Sequence, residues 1–151
     1  MKVLGIDPGL NGGWALLDEN GTLETFSFSN KSEKEISNSL SLVRPDYAFI
    51  EQVHAAPGQG VSSMFTFGRA YGFVRGVLAS RCIDFDSITP QAWQRLLRIP
   101  NRNGKTYSEH KRLLKDLASK LYPNHKITLA NADAILIAHA GMTLKIGKLD
   151  I

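Results

Sequence analysis

The chain has 151 residues, 43% of them hydrophobic and 21% charged, the size and composition of a single globular domain over residues 1–151 with a sizeable core. No run of about 20 apolar residues exists, which excludes a membrane-spanning helix, and too little precedes Asp7 for a signal peptide, so a cytoplasmic protein is expected. The formal net charge of +4 and a pI near 9.3 favour a polyanionic partner.

The opening Lys2-Val-Leu-Gly-Ile-Asp7 reads as a buried strand ending on a carboxylate, followed by a Pro8-Gly9 turn and the pair Gly12-Gly13. Trp14–Asp18 and Thr22–Phe28 form a hairpin about Glu19-Asn20-Gly21, because Asn-Gly tolerates the positive φ angles of tight turns. Ser32 with Glu35 is a capping-box pattern that starts a helix running to about Val43, with Ile36, Leu40 and Val43 on one face. Tyr47-Ala-Phe-Ile-Glu51 is a short apolar run that also ends on a carboxylate, as a parallel strand does at its functional edge.

After an irregular stretch from Gln52 to Gly60, Ser62–Arg81 carries a helical pattern in Phe67, Tyr71, Val74 and Leu78. Gly68, Gly72 and Gly76 share another face of that helix, where close approach of either the sheet or a second subunit is expected. Phe65, at helical spacing, reads as core rather than as a base-stacking wedge. Cys82–Ile88 is a fifth strand, and its lone cysteine Cys82 reads as a buried small hydrophobe. Thr89-Pro90 caps a short helix, Gln91 to about Leu97, in which Trp93 is assigned to packing. A polar loop 101–105 leads to a second capping box, Thr106 with Glu109, and a helix to Tyr122 with Leu113, Leu114, Leu117 and Leu121 on one side. Asn131 is expected to cap a final helix that buries Ala134, Ile135, Ile137, Ala138 and Met142. The order predicts an α/β protein with a mixed five-stranded sheet flanked by helices.

Asp7, Glu51 and Asp133 each stand where an element begins or ends, and in such a sheet they can converge at one edge. Clustered carboxylates repel and persist where a divalent cation neutralises them; Mg2+ suits oxygen ligands and phosphate substrates, with Mn2+ as its substitute. Each also has a plainer role: Asp7 in a turn before Pro8, Glu51 as a solvated strand end, Asp133 as a complement to the helix dipole. Basic residues concentrate between Arg95 and Lys120, opposed there by Glu109 and Asp116. Lys105, Lys111, Arg112 and Lys115 are candidate phosphate contacts, as are His54, Gln59 and Ser62 beside the cleft and Arg69 further along the helix.

Gly5-Ile-Asp-Pro-Gly9, Phe49-Ile-Glu-Gln-Val53, Ile88-Thr-Pro-Gln-Ala-Trp93 and Ala132-Asp-Ala-Ile-Leu-Ile-Ala138 resemble, in order, motifs of the RuvC-type Holliday junction resolvases. That resemblance implies a ribonuclease H-like fold and a homodimer making paired, metal-dependent nicks in four-way DNA junctions, with Asp7, Glu51 and Asp133 as catalytic metal ligands. The chain departs from the family pattern at Ala130, where an acid or histidine usually stands three residues before the last aspartate; Asn131 beside it is either a metal ligand or a helix cap. Two other readings stay open: a noncatalytic or weakly active branched-DNA-binding protein, and a nuclease of flaps, forks or RNA hybrids. An actin-like nucleotide site is excluded by length, since it needs a second domain.

Overall fold

The computed structural model describes residues 1–52 and 54–147; Val53, at the end of the second motif, and the last four residues lie outside them. A five-stranded sheet has the order β3-β2-β1-β4-β5, with β1 Lys2–Asp7, β2 Gly13–Asp18, β3 Leu23–Ser27, β4 Tyr47–Glu51 and β5 Phe85–Ile88. The β1/β2 and β2/β3 pairs are antiparallel and the β1/β4 and β4/β5 pairs parallel, so the mixed sheet expected from the element order is present. Helices α1 (Glu33–Leu42) and α2 (Val61–Ser80) cover one face through Ile36, Leu40, Val74, Val77 and Leu78, against Leu4, Ile6, Ala48 and Ile50 of the sheet. Helices α3 (Pro90–Leu96), α4 (Tyr107–Leu121) and α5 (Ala132–Ile146) cover the other, against Val3, Ala15, Leu17 and Phe49. Among the described residues, no helix is long and apolar enough to cross a membrane.

The period of two along each strand sets where the carboxylates go. Val3 faces α5 while Leu4 and Ile6 face α1 and α2, so Asp7 falls on the α5 side; Phe49 and then Glu51 follow the same parity. The parallel register pairs Ile6 with Ile50, which brings Asp7 and Glu51 out side by side at the ends of neighbouring strands. Helix α5 lies directly on β1 because Gly5 has no side chain: a Cβ there would collide with the Ala134 carbonyl oxygen and the Ala138 backbone nitrogen. That contact seats the first turn of α5, and with it Asp133, against the end of β1.

Both capping boxes form, Ser32 with Glu35 and Thr106 with Glu109, each exchanging reciprocal hydrogen bonds. Thr89 Oγ1 accepts from the Ala92 amide with Pro90 in the first helical position, as the sequence predicts. In the hairpin only Gly21 takes a positive φ, +84°, while Asp18 Oδ1 accepts from the amides of Asn20 and Thr22 and holds the turn.

Four expectations need correction. Cys82 is exposed, and β5 begins at Phe85. Cys82 sits at φ +54° after the C-terminus of α2, where its amide bonds to the Ala79 carbonyl and that of Ile83 to the Leu78 carbonyl. This Schellman-type ending spends three residues on turning the chain before the strand can start, and leaves the thiol outside. Asn131 does not cap α5 with its side chain. Its Oδ1 accepts from the Thr128 amide at 2.7 Å while the Asn131 amide bonds Thr128 Oγ1, so the cap is formed one turn earlier, with Thr128 in the capping role. Phe65 is 71% exposed, not core, because α2 presents only its C-terminal half, Val74 to Leu78, to the sheet. Gly68, Gly72 and Gly76 lie on a different face of α2 from Val74, Val77 and Leu78, and among the described residues nothing lies within 4 Å of a Cβ placed on any of them: the glycine face does not meet the sheet.

Candidate active site

One cleft is lined by Asp7, Glu51 and Asp133, closed on one side by Gly9–Gly12, on another by Ser62, Ser63, Thr66 and Phe67 of α2, and on a third by Tyr107 and Lys111 of α4 with Leu129 and Ala130. Each acid is held by its own element. Asp7 Oδ1 accepts from the Gly9 amide at 3.0 Å, a bond that the Pro8-Gly9 turn makes by folding the chain back over the strand end. Gly12 packs on the Asp7 backbone so closely that a Cβ there would overlap the Asp7 carbonyl. Glu51 Oε2 accepts from Trp93 Nε1 at 2.8 Å. Asp133 Oδ2 pairs with the Lys111 ammonium, and among the described residues its buried Oδ1 has no hydrogen-bond partner.

Electrostatics follow from this burial and crowding. Desolvation and the neighbouring Asp7 carboxylate, with a smaller push from Asp133, raise Glu51 to about 7, although the Trp93 N–H and Lys111 work in the opposite direction. Asp7 is likewise raised, mainly by burial and further by Asp133, against the lowering effect of the Gly9 amide and Lys111. Burial alone would weaken the charge of Lys111, but Asp133 and, more weakly, Asp7 outweigh it and hold the ammonium above its ordinary range.

Asp7, Glu51 and the unpartnered Asp133 Oδ1 are hard oxygen donors of the kind Mg2+ and Mn2+ take. Among the described residues no three His, Cys, Asp or Glu side chains are gathered tightly enough to cage an ion as they stand. The arrangement suits Mg2+ nonetheless, which commonly uses one or two carboxylates and completes its shell with water and substrate phosphate.

The candidate phosphate contacts do not all come together. Ser62 and Lys111 line the cleft. His54 and Lys105 are exposed on the loops beside α2 and α4. Gln59 is exposed, but its Oε1 accepts from the Ala56 amide and braces the loop. Arg69 lines a separate depression with Lys31, on the side of the Pro8–Asn11 loop away from Glu51 and Asp133. Arg112 faces the groove between α3 and α4, beside Arg98 and Lys120, while Lys115 lies one turn beyond Lys111 and is partly buried. Lys111 and Arg112 are adjacent in sequence, yet about 100° of helical rotation sends them to different sites.

Two contributors were not singled out for this role in the sequence. Trp93 is fully buried, as its packing assignment implies, and also orients Glu51; the signal was its indole N–H, which needs a partner when buried. Tyr107, whose ring centroid lies 6.0 Å from Lys111 Nζ, sits one turn before that lysine at the cleft mouth and follows from the four-residue spacing alone.

No protein-family model matches the chain, and no characterised protein matches it by sequence. Solved structures do. RuvC of Thermus thermophilus is 19% identical over 97% of this chain and 97% of its own, with a TM-score of 0.62. The T. thermophilus RuvC complex with Holliday junction substrate matches at 17% identity, 97% and 98% coverage and a TM-score of 0.66. Fowlpox virus resolvase, in complex with its substrate Holliday junction DNA, matches at 15% identity, 97% and 99% coverage and a TM-score of 0.62. The chain therefore has the ribonuclease H-like fold of the RuvC-type resolvases over nearly its whole length, as the four ordered motifs led one to expect.

Proposed function

We propose that this protein is a cytoplasmic, divalent-metal-dependent endonuclease of branched DNA that nicks four-way junctions as a homodimer. The observation that carries the reading is the convergence of Asp7, Glu51 and Asp133 in one open cleft beside a basic helix, on this fold. A bound Mg2+ or Mn2+ would activate water and stabilise the charge that develops on the phosphodiester. Asp7 is fixed by the Gly9 amide and Glu51 by Trp93, so both carboxylates are oriented before substrate arrives. The first turn of α2, whose N-cap Gly60 supplies no side-chain acceptor, borders the cleft through Ser62 and Ser63 and offers amide donors to a phosphate. His54, Gln59, Arg69, Lys105, Arg112 and Lys115 extend the contact surface away from the chemistry, where they would set affinity and salt dependence. A four-way junction as substrate is supported by the two similar structures that hold Holliday junction DNA.

Val61, Phe65, Gly68, Gly72 and Gly76 follow one another at spacings of three and four on α2, with Val61 80% and Phe65 71% exposed. That flat apolar stripe fits a second copy of the chain, and a two-fold dimer would present two clefts to a two-fold junction.

A second reading has an observation of its own. Ala130 lines the cleft where the family pattern has a donor, and a lysine is paired with Asp133; both suit a protein that binds junctions and cuts them poorly. Incubating the protein with a labelled four-way junction, a flap and a duplex, each with Mg2+, Mn2+ or a chelator, separates these readings. Symmetric metal-dependent nicks at the junction are expected. Tight junction binding without nicks would favour the binding protein, and nicks confined to the flap would move the substrate class.

A further inference from the structure

The two carboxylate oxygens of Asp133 are in unequal surroundings. Asp7 and Glu51 stand at the ends of β1 and β4 in the same cleft, and among the described residues Asp133 Oδ1 is buried and has no hydrogen-bond partner. The side chains at and beside the position of the family's fourth donor offer little to a second ion. Ala130 contributes a methyl group to the cleft. The Asn131 amide oxygen accepts from the Thr128 N–H at 2.7 Å, and its amide nitrogen donates to the Lys126 carbonyl at 3.1 Å. Asp133 Oδ2 is taken by the Lys111 ammonium, and the two side chains are only 20% and 10% exposed.

A site for two ions needs donors on both sides of a bridging carboxylate, with the ions about 3.5 to 4 Å apart. Here one oxygen of Asp133 is unpartnered among the described residues and the other is held by a fixed cation. Charge leads to the same count: three carboxylates are balanced by one ammonium and one divalent ion, whereas two divalent ions beside Lys111 would leave excess positive charge in a partly buried site.

We propose that Lys111 takes the place of a second metal ion, so that each protomer binds one divalent cation and not two. This deepens the nuclease reading above and rests on it for the meaning of the site, but the ion count can be tested without any cleavage. Lys111 is then a positioning group for Asp133 in the free protein and the fixed positive charge nearest a phosphate bound at the ion. The Tyr107 ring centroid lies 6.0 Å from Nζ, within reach of a cation–π contact.

The test is to count Mn2+ on the full-length protein by equilibrium titration, reading free ion by electron paramagnetic resonance. One Mn2+ per protomer is expected, with no signal from a coupled ion pair. Lys111→Met should bind its first Mn2+ at least tenfold more tightly or take up a second ion, since it frees Asp133 Oδ2 and removes a repelling charge. Lys111→Arg should keep the count at one, and circular dichroism of both variants guards against misfolding. Two coupled ions on the wild type would overturn the proposal while leaving the nuclease reading intact, as would a Lys111→Met protein that is folded yet unchanged in affinity and count. Absence of any Mn2+ binding at millimolar concentration would overturn both. One ion on a protein that nicks no DNA would uphold this proposal and sink the nuclease.

Discussion

At the scale of single residues, Glu51 is where burial, crowding and hydrogen bonding meet. Its carboxyl is raised to about 7 from 4.5, so the native state binds this proton more tightly than the unfolded chain does. A raised carboxyl favours the fold in acid: that contribution is whole below about pH 4.5 and is lost progressively as the pH climbs through about 7. Thermal melts of the metal-free protein should therefore show Tm falling between about pH 5 and 8. Glu51→Gln, which cannot ionise, should flatten that dependence and melt higher than wild type at the alkaline end; a parallel decline in the variant would assign the effect elsewhere. Asp7 bears on the proposed reaction. Asp7→Asn keeps the bond from the Gly9 amide and removes the charge, so junction nicking should fall at least about 1000-fold, or some 4 kcal/mol, while junction affinity stays within a few fold. Undiminished nicking by this variant, read on the same labelled junction, would remove Asp7 from the chemistry.

Among the elements, α5 is packed tightly on β1 and β4. Gly5 lies beneath the backbone of α5, and Gly141, two turns beyond Asp133, receives the Phe49 ring, so that a Cβ at either glycine would overlap its neighbour. Gly5→Ala thrusts a methyl group into backbone that cannot yield as a side chain would. A loss of about 3 kcal/mol or more is expected, a fall in Tm of roughly 10 °C, measured by calorimetry. If the protein still folds, its nicking should fall more steeply than its stability, because lifting α5 carries Asp133 away from Asp7 and Glu51. Helix α2 is the opposite case. Its C-terminal half is anchored by Val74, Val77 and Leu78, while the half that borders the cleft carries exposed Phe65, and the glycine face that runs through both halves has open space around it among the described residues.

For the whole molecule, that bare face bears on assembly. Gly72 stands in the middle of the stripe with open space around it, so Gly72→Arg should be tolerated by the protomer and refused by a partner packed against α2. Sedimentation should show wild-type dimers and Gly72→Arg monomers, with the dimer dissociation constant raised by at least about 100-fold and the thermal melt of dilute protein little changed. A variant that remains dimeric would place the interface elsewhere or show that α2 does not form it. The basic residues are likewise distributed over the molecule rather than gathered: Lys111 faces the acids, Arg112 another groove, and Arg69 the far side of the Pro8–Asn11 loop.

What the sequence determined by itself was whatever depends on neighbours along the chain. Strand parity placed Asp7 and Glu51 at strand ends, the Ser32/Glu35 and Thr106/Glu109 pairs marked two helix starts, and the order of elements implied the mixed sheet. The ordered motifs identified the fold, which the solved structures share. Only tertiary structure decided what depends on which surface a side chain meets. Cys82 and Phe65 look apolar enough to be buried, but a residue is buried by what packs on it, and both stay exposed. Asn131 has the chemistry of a cap and spends it on Thr128. Lys111 belongs by sequence to a basic helix whose charges would be expected to face solvent, and it became the partner of Asp133 because α4 and α5 bring together side chains separated by 22 positions in the chain. Local rules assign a residue its element and its face; the contact that face makes is set by packing between elements distant in sequence.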